Sequence, residues 1–130
     1  MLINNALLGK LCDDAAANPR LRQSLDLRTT SADQSQRMLN ALMPGTVMPI
    51  HRHTTSAETC IVISGSMTEI FYDDEGNETE RICLKAGGEC CGVQIPAGQW
   101  HSLVCEEPCV LFEAKDGAYQ PLEPIDIMTL

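Results

Sequence analysis

The stretch that decides the fold is Gly45–Gly65, which reads GTVMPIHRHTTSAETCIVISG. It holds two of the three histidines in the chain, His51 and His53, separated by one residue. In an extended segment, residues i and i+2 share a face, so both imidazoles point the same way. Glu58 begins the next apolar run. A turn between them would return the chain antiparallel and bring this carboxylate across from the two histidines.

The remaining histidine, His101, ends the segment Ile95–His101, which reads IPAGQWH. Three imidazole nitrogens and one carboxylate oxygen suit a divalent transition metal such as Zn, Fe, Mn, Ni or Cu. The chain has no other histidine. The sequence therefore predicts one metal site, whose ligands are His51, His53, Glu58 and His101.

Short strand-like runs recur on both sides of this stretch, each bounded by turn residues. Strands are predicted at Arg37–Met43, Val47–His53, Thr59–Ser64, Met67–Asp73, Glu78–Leu84, Glu89–Ile95, His101–Cys105 and Cys109–Lys115. About eight short strands at this spacing are typical of an all-β sandwich or barrel. Ahead of them, Asn4–Ala17 is rich in Ala and Leu and predicts a short helix that ends at Asn18-Pro19. Residues 20–35 are compatible with a strand, a second helix or an arm.

Size and charge narrow the classes of function. The chain has 130 residues, 44% of them hydrophobic and 21% charged, which is the composition of one globular domain. With a net charge of -9, the chain lacks the excess of basic residues that is typical of proteins that bind nucleic acid or anionic membranes. No apolar run is long enough to span a membrane. We find no secretory signal, and seven cysteines cannot all pair within one chain, so we expect a reduced, cytoplasmic location.

Both histidine motifs resemble those of the cupin superfamily. The matching patterns are Gly45-x5-His51-x-His53-x4-Glu58-x6-Gly65 and Pro96-x-Gly98-x2-His101. The second motif departs at two positions, where Cys90 and Cys105 replace a glycine and an asparagine. The resemblance implies a small single-domain cupin, an all-β double-stranded β-helix or jelly-roll barrel with a short N-terminal helix. The four ligands would hold one metal inside the barrel. The implied organisation is a helix and arm over 1–36, the barrel over 37–115 and a tail over 116–130.

A narrower resemblance is to the WbuC-type cupin-fold metalloproteins of bacteria. It rests on the runs SQRMLN at Ser35–Asn40, MPIHRH at Met48–His53, IPAGQWH at Ile95–His101 and EAKDG at Glu113–Gly117. Those proteins are often linked with gene clusters for O-antigen or other surface polysaccharides. The resemblance implies a metal-dependent enzyme of isomerase or epimerase type that acts on a sugar or sugar nucleotide. It assigns no catalytic residue.

Two other functions remain open at this stage. The same ligands support an Fe(II)-dependent dioxygenase-type oxidoreductase, and they also suit a non-catalytic module that binds a metal or a ligand. The identity of the bound metal and oxygen consumption would separate these functions.

Small cupins commonly pair, so we expect a homodimer.

Strand parity predicts further side chains inside the barrel, since alternate residues share a face. The predicted pocket residues are Cys60, Val62, Trp100, Leu103, Cys105, Arg28 and Lys115. We expect the two cysteines to be compact apolar filler rather than ligands. Trp100 either walls the barrel mouth or packs against the N-terminal segment. Arg28 and Lys115, together with Arg22 and Arg37, are candidates for binding an anionic group, although we expect Arg22 to be a solvated surface charge.

Overall fold

The computed structural model describes residues 1–129 and is built mainly of β-strands. The elements are α1 (Asn5–Ala17), β1 (Arg22–Asp26), β2 (Ser35–Leu42), β3 (Glu58–Ser64), β4 (Ser66–Tyr72), β5 (Glu78–Lys85), β6 (Gly92–Ile95), β7 (Trp100–Val104), β8 (Cys109–Asp116) and a short 3₁₀ helix at Pro124–Asp126. A five-stranded sheet has the order β1-β2-β8-β3-β6, and a three-stranded sheet has the order β5-β4-β7. All pairings are antiparallel. The predicted all-β architecture with a short N-terminal helix is confirmed.

Two apolar cores follow from the alternation of side chains along the strands. The first lies between the two sheets and contains Leu42, Cys60, Val62, Met67, Leu84, Cys105, Cys109 and Leu111. The second lies between α1 and the outer face of the five-stranded sheet and contains Leu11, Ala15, Leu39, Ala41, Met43 and Val110. The strands β2 and β8 therefore each have one face on the helix side and one face on the barrel interior.

Local capping sets the limits of α1. The side chain of Asn4 accepts a hydrogen bond from the backbone N–H of Leu7 at 3.0 Å, which satisfies one of the free donors at the helix start. Asn18 is extended because Pro19 disfavours helical geometry in the residue before it. Leu11 and Ala15, four residues apart, point from the helix into the second core.

The prediction of a regular strand over Val47–His53 is wrong. This segment makes only isolated β-bridges, which join His51 to His101 and to Ile127. Pro49 lies inside this segment and accounts for part of the difference, because proline has no N–H to donate to a strand ladder.

The unassigned residues 20–35 contain an edge strand. β1 pairs with β2, with Leu25 opposite Leu39, so the arm extends the large sheet by one strand. The C-terminal tail is bound to the segment that precedes His51, since the backbone N–H of Met128 donates to the carbonyl of Ile50 at 2.8 Å. Among residues 1–129, no helix has the length and apolar character needed to cross a membrane.

Candidate metal centre

Three imidazoles converge where the segment Val47–His53 is bridged to β7. His51, His53 and His101 each place one ring nitrogen within 4.8 Å of the others. His51 and His101 exchange backbone hydrogen bonds of 3.0 and 2.9 Å, and their ring centroids lie 4.3 Å apart. This reciprocal backbone pair holds the two ligand-bearing segments together, so the three histidines could hold a metal ion.

Backbone carbonyls orient two of the rings. Nδ1 of His51 lies 2.9 Å from the carbonyl oxygen of Pro49, and Nδ1 of His101 lies 2.9 Å from that of Gln99. Because a carbonyl can only accept, Nδ1 carries a hydrogen in both rings and Nε2 faces the site. Burial and the neighbouring His101 lower the pKa of His51 to about 4. Its ring is therefore neutral near neutral pH, which is the form that binds a metal.

Glu58 lies beside the imidazoles and is 6% exposed. Its Oε2 is 3.3 Å from Nε2 of His101 and 3.8 Å from Nε2 of His53, while its Oε1 is 3.4 Å from Nζ of Lys115. Burial raises the pKa of Glu58, but the close contact with His101 and the positive charge of Lys115 outweigh it and hold the pKa at about 2. The carboxylate is therefore ionised and lies against two of the imidazoles, while the group of donor atoms within 4.8 Å of one another consists of the three histidines.

A cavity of about 400 Å³ opens onto this cluster. All four predicted metal ligands line it, together with polar side chains such as Arg20, Arg22, Gln36, Asn40, Lys115 and Tyr119. Arg22 comes from β1, the strand that the sequence pattern did not reveal. Its Nη1 donates to the carbonyl of Val47 at 3.4 Å, and it forms no ion pair with a carboxylate of residues 1–129.

Three of the seven predicted pocket residues lie in the cavity lining, namely Cys60, Leu103 and Lys115. Val62 and Cys105 lie in the core between the sheets instead. The thiol of Cys105 is 2.9 Å from the carbonyl of Glu107. Burial, the largest cause, raises the pKa of the Cys60 thiol, which keeps that side chain uncharged.

The other two predicted pocket residues make contacts outside the lining. The indole of Trp100 donates to Asp74 at 3.2 Å, and the guanidinium of Arg52 stacks on its ring at 4.4 Å. Arg28 pairs with Asp26 at 2.7 Å, at the end of β1. Its charge is satisfied by the neighbouring turn, which explains why it does not reach the cavity.

Two further carboxyls in the lining, the buried Glu69 and the half-buried Glu113, were not predicted from the sequence. Burial, followed by the charges of Glu58 and Glu113, raises the pKa of Glu69 to about 9. Burial and then Glu58 raise the pKa of Glu113 to about 7. Parity along β8 was the available signal for Glu113, since it shares a face with Lys115. No comparable signal marks Glu69.

A family model matches residues 3–84, which is more than half of the chain and includes three of the four predicted ligands. The chain belongs to this family. It is described as "Domain of unknown function (DUF6016)". No curated protein matches the chain significantly.

Solved structures of three other proteins share the fold. An oxalate oxidase in complex with the substrate analogue glycolate has a TM-score of 0.64 and 17% identity, with 83% of this chain and 57% of that chain covered. The capsular polysaccharide assembling protein CapF from Staphylococcus aureus has a TM-score of 0.64 and 24% identity, with coverages of 87% and 32%. The protein TT1209 from Thermus thermophilus has a TM-score of 0.64 and 20% identity, with coverages of 90% and 98%.

These similarities establish the fold and nothing finer. The chain has the cupin fold, in agreement with its two histidine motifs. It spans about half the length of the oxalate oxidase and about a third of CapF. The narrower WbuC-type assignment stays a prediction.

Proposed function

We propose that the protein is a metal-dependent enzyme that binds one divalent transition metal ion and acts on a sugar or sugar nucleotide. The metal ligands are His51, His53, Glu58 and His101. The observation that carries the proposal is the convergence of three imidazole nitrogens within 4.8 Å on the wall of a 400 Å³ cavity. Cavities of roughly 300–1,000 Å³ are typical for small ligands.

The donor set fits such an ion. His51 is neutral, Glu58 is ionised, and three imidazoles with one carboxylate match the preferences of Zn, Fe, Mn or Ni. When bound, the metal supplies Lewis-acid polarisation of a substrate oxygen. Lys115 holds one oxygen of Glu58 at 3.4 Å and leaves the other toward the imidazoles. Because all four side chains line the cavity, a substrate can approach them from its open interior.

The other side chains of the cavity lining support a phosphorylated sugar as the substrate. The amides of Gln36 and Asn40 can donate to and accept from hydroxyl groups. Arg20 and Arg22 also line the cavity, and neither is ion-paired with a carboxylate of residues 1–129. In a chain of net charge -9, two unpaired arginines at one cavity favour an anionic substrate group such as the phosphates of a sugar nucleotide.

An isomerase or epimerase reaction is the proposed chemistry. An isomerase takes a proton from one carbon and delivers one to another, whereas an epimerase returns a proton to the same carbon from the opposite face. Both reactions need a side chain near the substrate that can accept and donate a proton, and a carboxyl group is one such side chain. Glu113 lines the cavity and is the candidate for this proton transfer. The WbuC-type resemblance supports a role in surface polysaccharide synthesis, and a cytoplasmic homodimer is the expected setting.

Elemental analysis of the purified protein, with stoichiometry, tests the metal. One equivalent is expected in the wild type and in the exposed-glutamate control Glu80→Ala, whereas His101→Ala and Glu58→Ala should lose it and remain folded by circular dichroism. Loss of the fold in both ligand variants would instead assign the metal a structural role.

The reaction is tested with the metal-loaded protein and a panel of nucleotide sugars. Binding and product formation are expected in the wild type and not in His101→Ala. No binding and no turnover across the panel would remove the sugar proposal. Oxygen consumption by an iron-loaded protein would favour the dioxygenase alternative, and binding without turnover would favour a ligand-binding module.

A further inference from the structure

Glu69 is an unusual residue for the middle of a strand. It lies on β4, opposite Leu103 of β7 and Ile82 of β5, and only 2% of it is exposed. Its Oε1 is buried and has no hydrogen-bond partner, a feature of no other side-chain atom in the described part of the chain. The same side chain lines the cavity that opens onto the histidine cluster.

An unpartnered buried carboxyl lowers the stability of the folded protein. A buried polar atom without a partner loses its hydrogen bonds to water and gains nothing in return. The carboxyls of Glu58 and Glu113 also disfavour a further negative charge at this place. A side chain that costs stability and faces a cavity is typical of a residue kept for a ligand.

The protonation state defines what Glu69 can bind. Burial and the neighbouring carboxyls raise its pKa to about 9, so it is a neutral carboxylic acid near neutral pH. A neutral carboxyl donates through its O–H and accepts through its other oxygen. A hydroxyl group both accepts and donates, so it matches this pair of atoms.

We infer that Glu69 contacts the substrate directly and hydrogen-bonds a hydroxyl or carbonyl oxygen of the molecule that enters the cavity. The inference rests on the proposed function, because it needs a substrate at the same site. It makes Glu69 a determinant of specificity for polyhydroxylated molecules, separate from the four metal ligands.

The first arm of the test needs no ligand. Urea unfolding of the metal-loaded protein is compared for the wild type, Glu69→Met, Glu69→Gln and the exposed control Glu80→Met. Glu69→Met is expected to have a midpoint equal to or above that of the wild type, because an unpaired polar group is removed. Clearly lower midpoints for both Glu69→Met and Glu69→Gln would show that the carboxyl supports the fold and would overturn the inference.

The second arm measures binding of UDP-glucose and glucose 1-phosphate by calorimetry. Glu69→Met should weaken binding about tenfold, the effect of one lost hydrogen bond, while Glu69→Gln stays within about threefold and Glu80→Met is unchanged. Equal binding by Glu69→Met and the wild type would overturn the inference. If the wild type binds neither probe, the sugar proposal fails, and the first arm alone decides on Glu69.

Discussion

The ammonium group of Lys115 lies 3.4 Å from Oε1 of Glu58, and the two residues are directly opposite each other on β8 and β3. The second oxygen of the same carboxylate faces Nε2 of His101 at 3.3 Å. One cross-strand pair therefore sets the orientation of the only carboxylate in the predicted ligand set. Partners of this kind hold a metal ligand in position before the ion arrives.

Replacing Lys115 should weaken metal binding without removing a ligand. We expect Lys115→Met to reduce affinity by about 10- to 100-fold, the usual effect of losing a group that orients a ligand. Competition with a chelator measures this, and Lys85→Met, at the exposed end of β5, is the matched control. Equal affinities in both variants would show that Glu58 needs no support from Lys115.

The pH dependence of stability should report on Glu69. Its pKa is raised from 4.5 to about 9, so between these values the folded protein holds a proton that the unfolded chain has released. Stability then falls as pH rises through this window, by at most about 1.4 kcal/mol for each pH unit. Below the lower value both states are protonated and Glu69 contributes no pH dependence.

Glu69→Gln removes this contribution, because an amide does not titrate in that range. Urea unfolding of the metal-loaded wild type and variant from about pH 5 to about pH 8 should give curves that diverge as pH rises. Parallel curves would mean that Glu69 ionises near its usual value in the folded protein.

Arg52 ties the C-terminal tail to the segment that carries two ligands. Its Nε donates to Asp126 at 3.0 Å and its guanidinium lies 4.4 Å from the centre of the Trp100 ring. We expect Arg52→Met to cost about 1–2 kcal/mol, because the contacts are half-buried. Hydrogen exchange should also rise at the backbone N–H of Met128, which bonds Ile50 at 2.8 Å.

A second arginine provides the control for that substitution. Arg81 pairs with Glu78 in an exposed position on β5, so Arg81→Met should cost only about 0–0.5 kcal/mol. Similar losses in the two variants would show that the contacts of Arg52 add nothing beyond a surface ion pair.

Gly65 should tolerate no side chain. Its φ is +76°, and a Cβ at this position would collide with the carbonyl oxygen of Pro108. Gly65→Ala should therefore cost more than about 2 kcal/mol, by backbone strain together with steric overlap. Gly87→Ala is the control, because Gly87 has φ +69° but open space around it, and it should cost about 1–2 kcal/mol. Equal losses of stability in the two variants would show that steric overlap with Pro108 does not contribute to the cost of Gly65→Ala.

Local patterns were sufficient for most of the strands but not for the two segments beside the site. The predicted strand over Val47–His53 is wrong because Pro49, in the middle of the segment, has no N–H for a strand ladder, and only isolated bridges form. For residues 20–35 the sequence left a strand, a helix and an arm open, because Leu25 is the one apolar residue among the five of β1 and no alternation is visible. Arg22 lies in that strand and lines the cavity, so the expectation that it is a solvated surface charge is wrong.

The sequence by itself was sufficient to predict a donor set, because only three histidines occur and their spacing with Glu58 is a local property of the chain. The structure brings the three imidazoles together. Only the tertiary structure decided which charges are buried. From the sequence, Glu69 and Glu113 are ordinary strand glutamates and Arg22 is a surface charge. In the structure β1, β4 and β8 surround one cavity, and these three side chains line it. The physical reason is that burial and pKa depend on what the opposite sheet presents, and contacts between sheets join residues far apart in sequence.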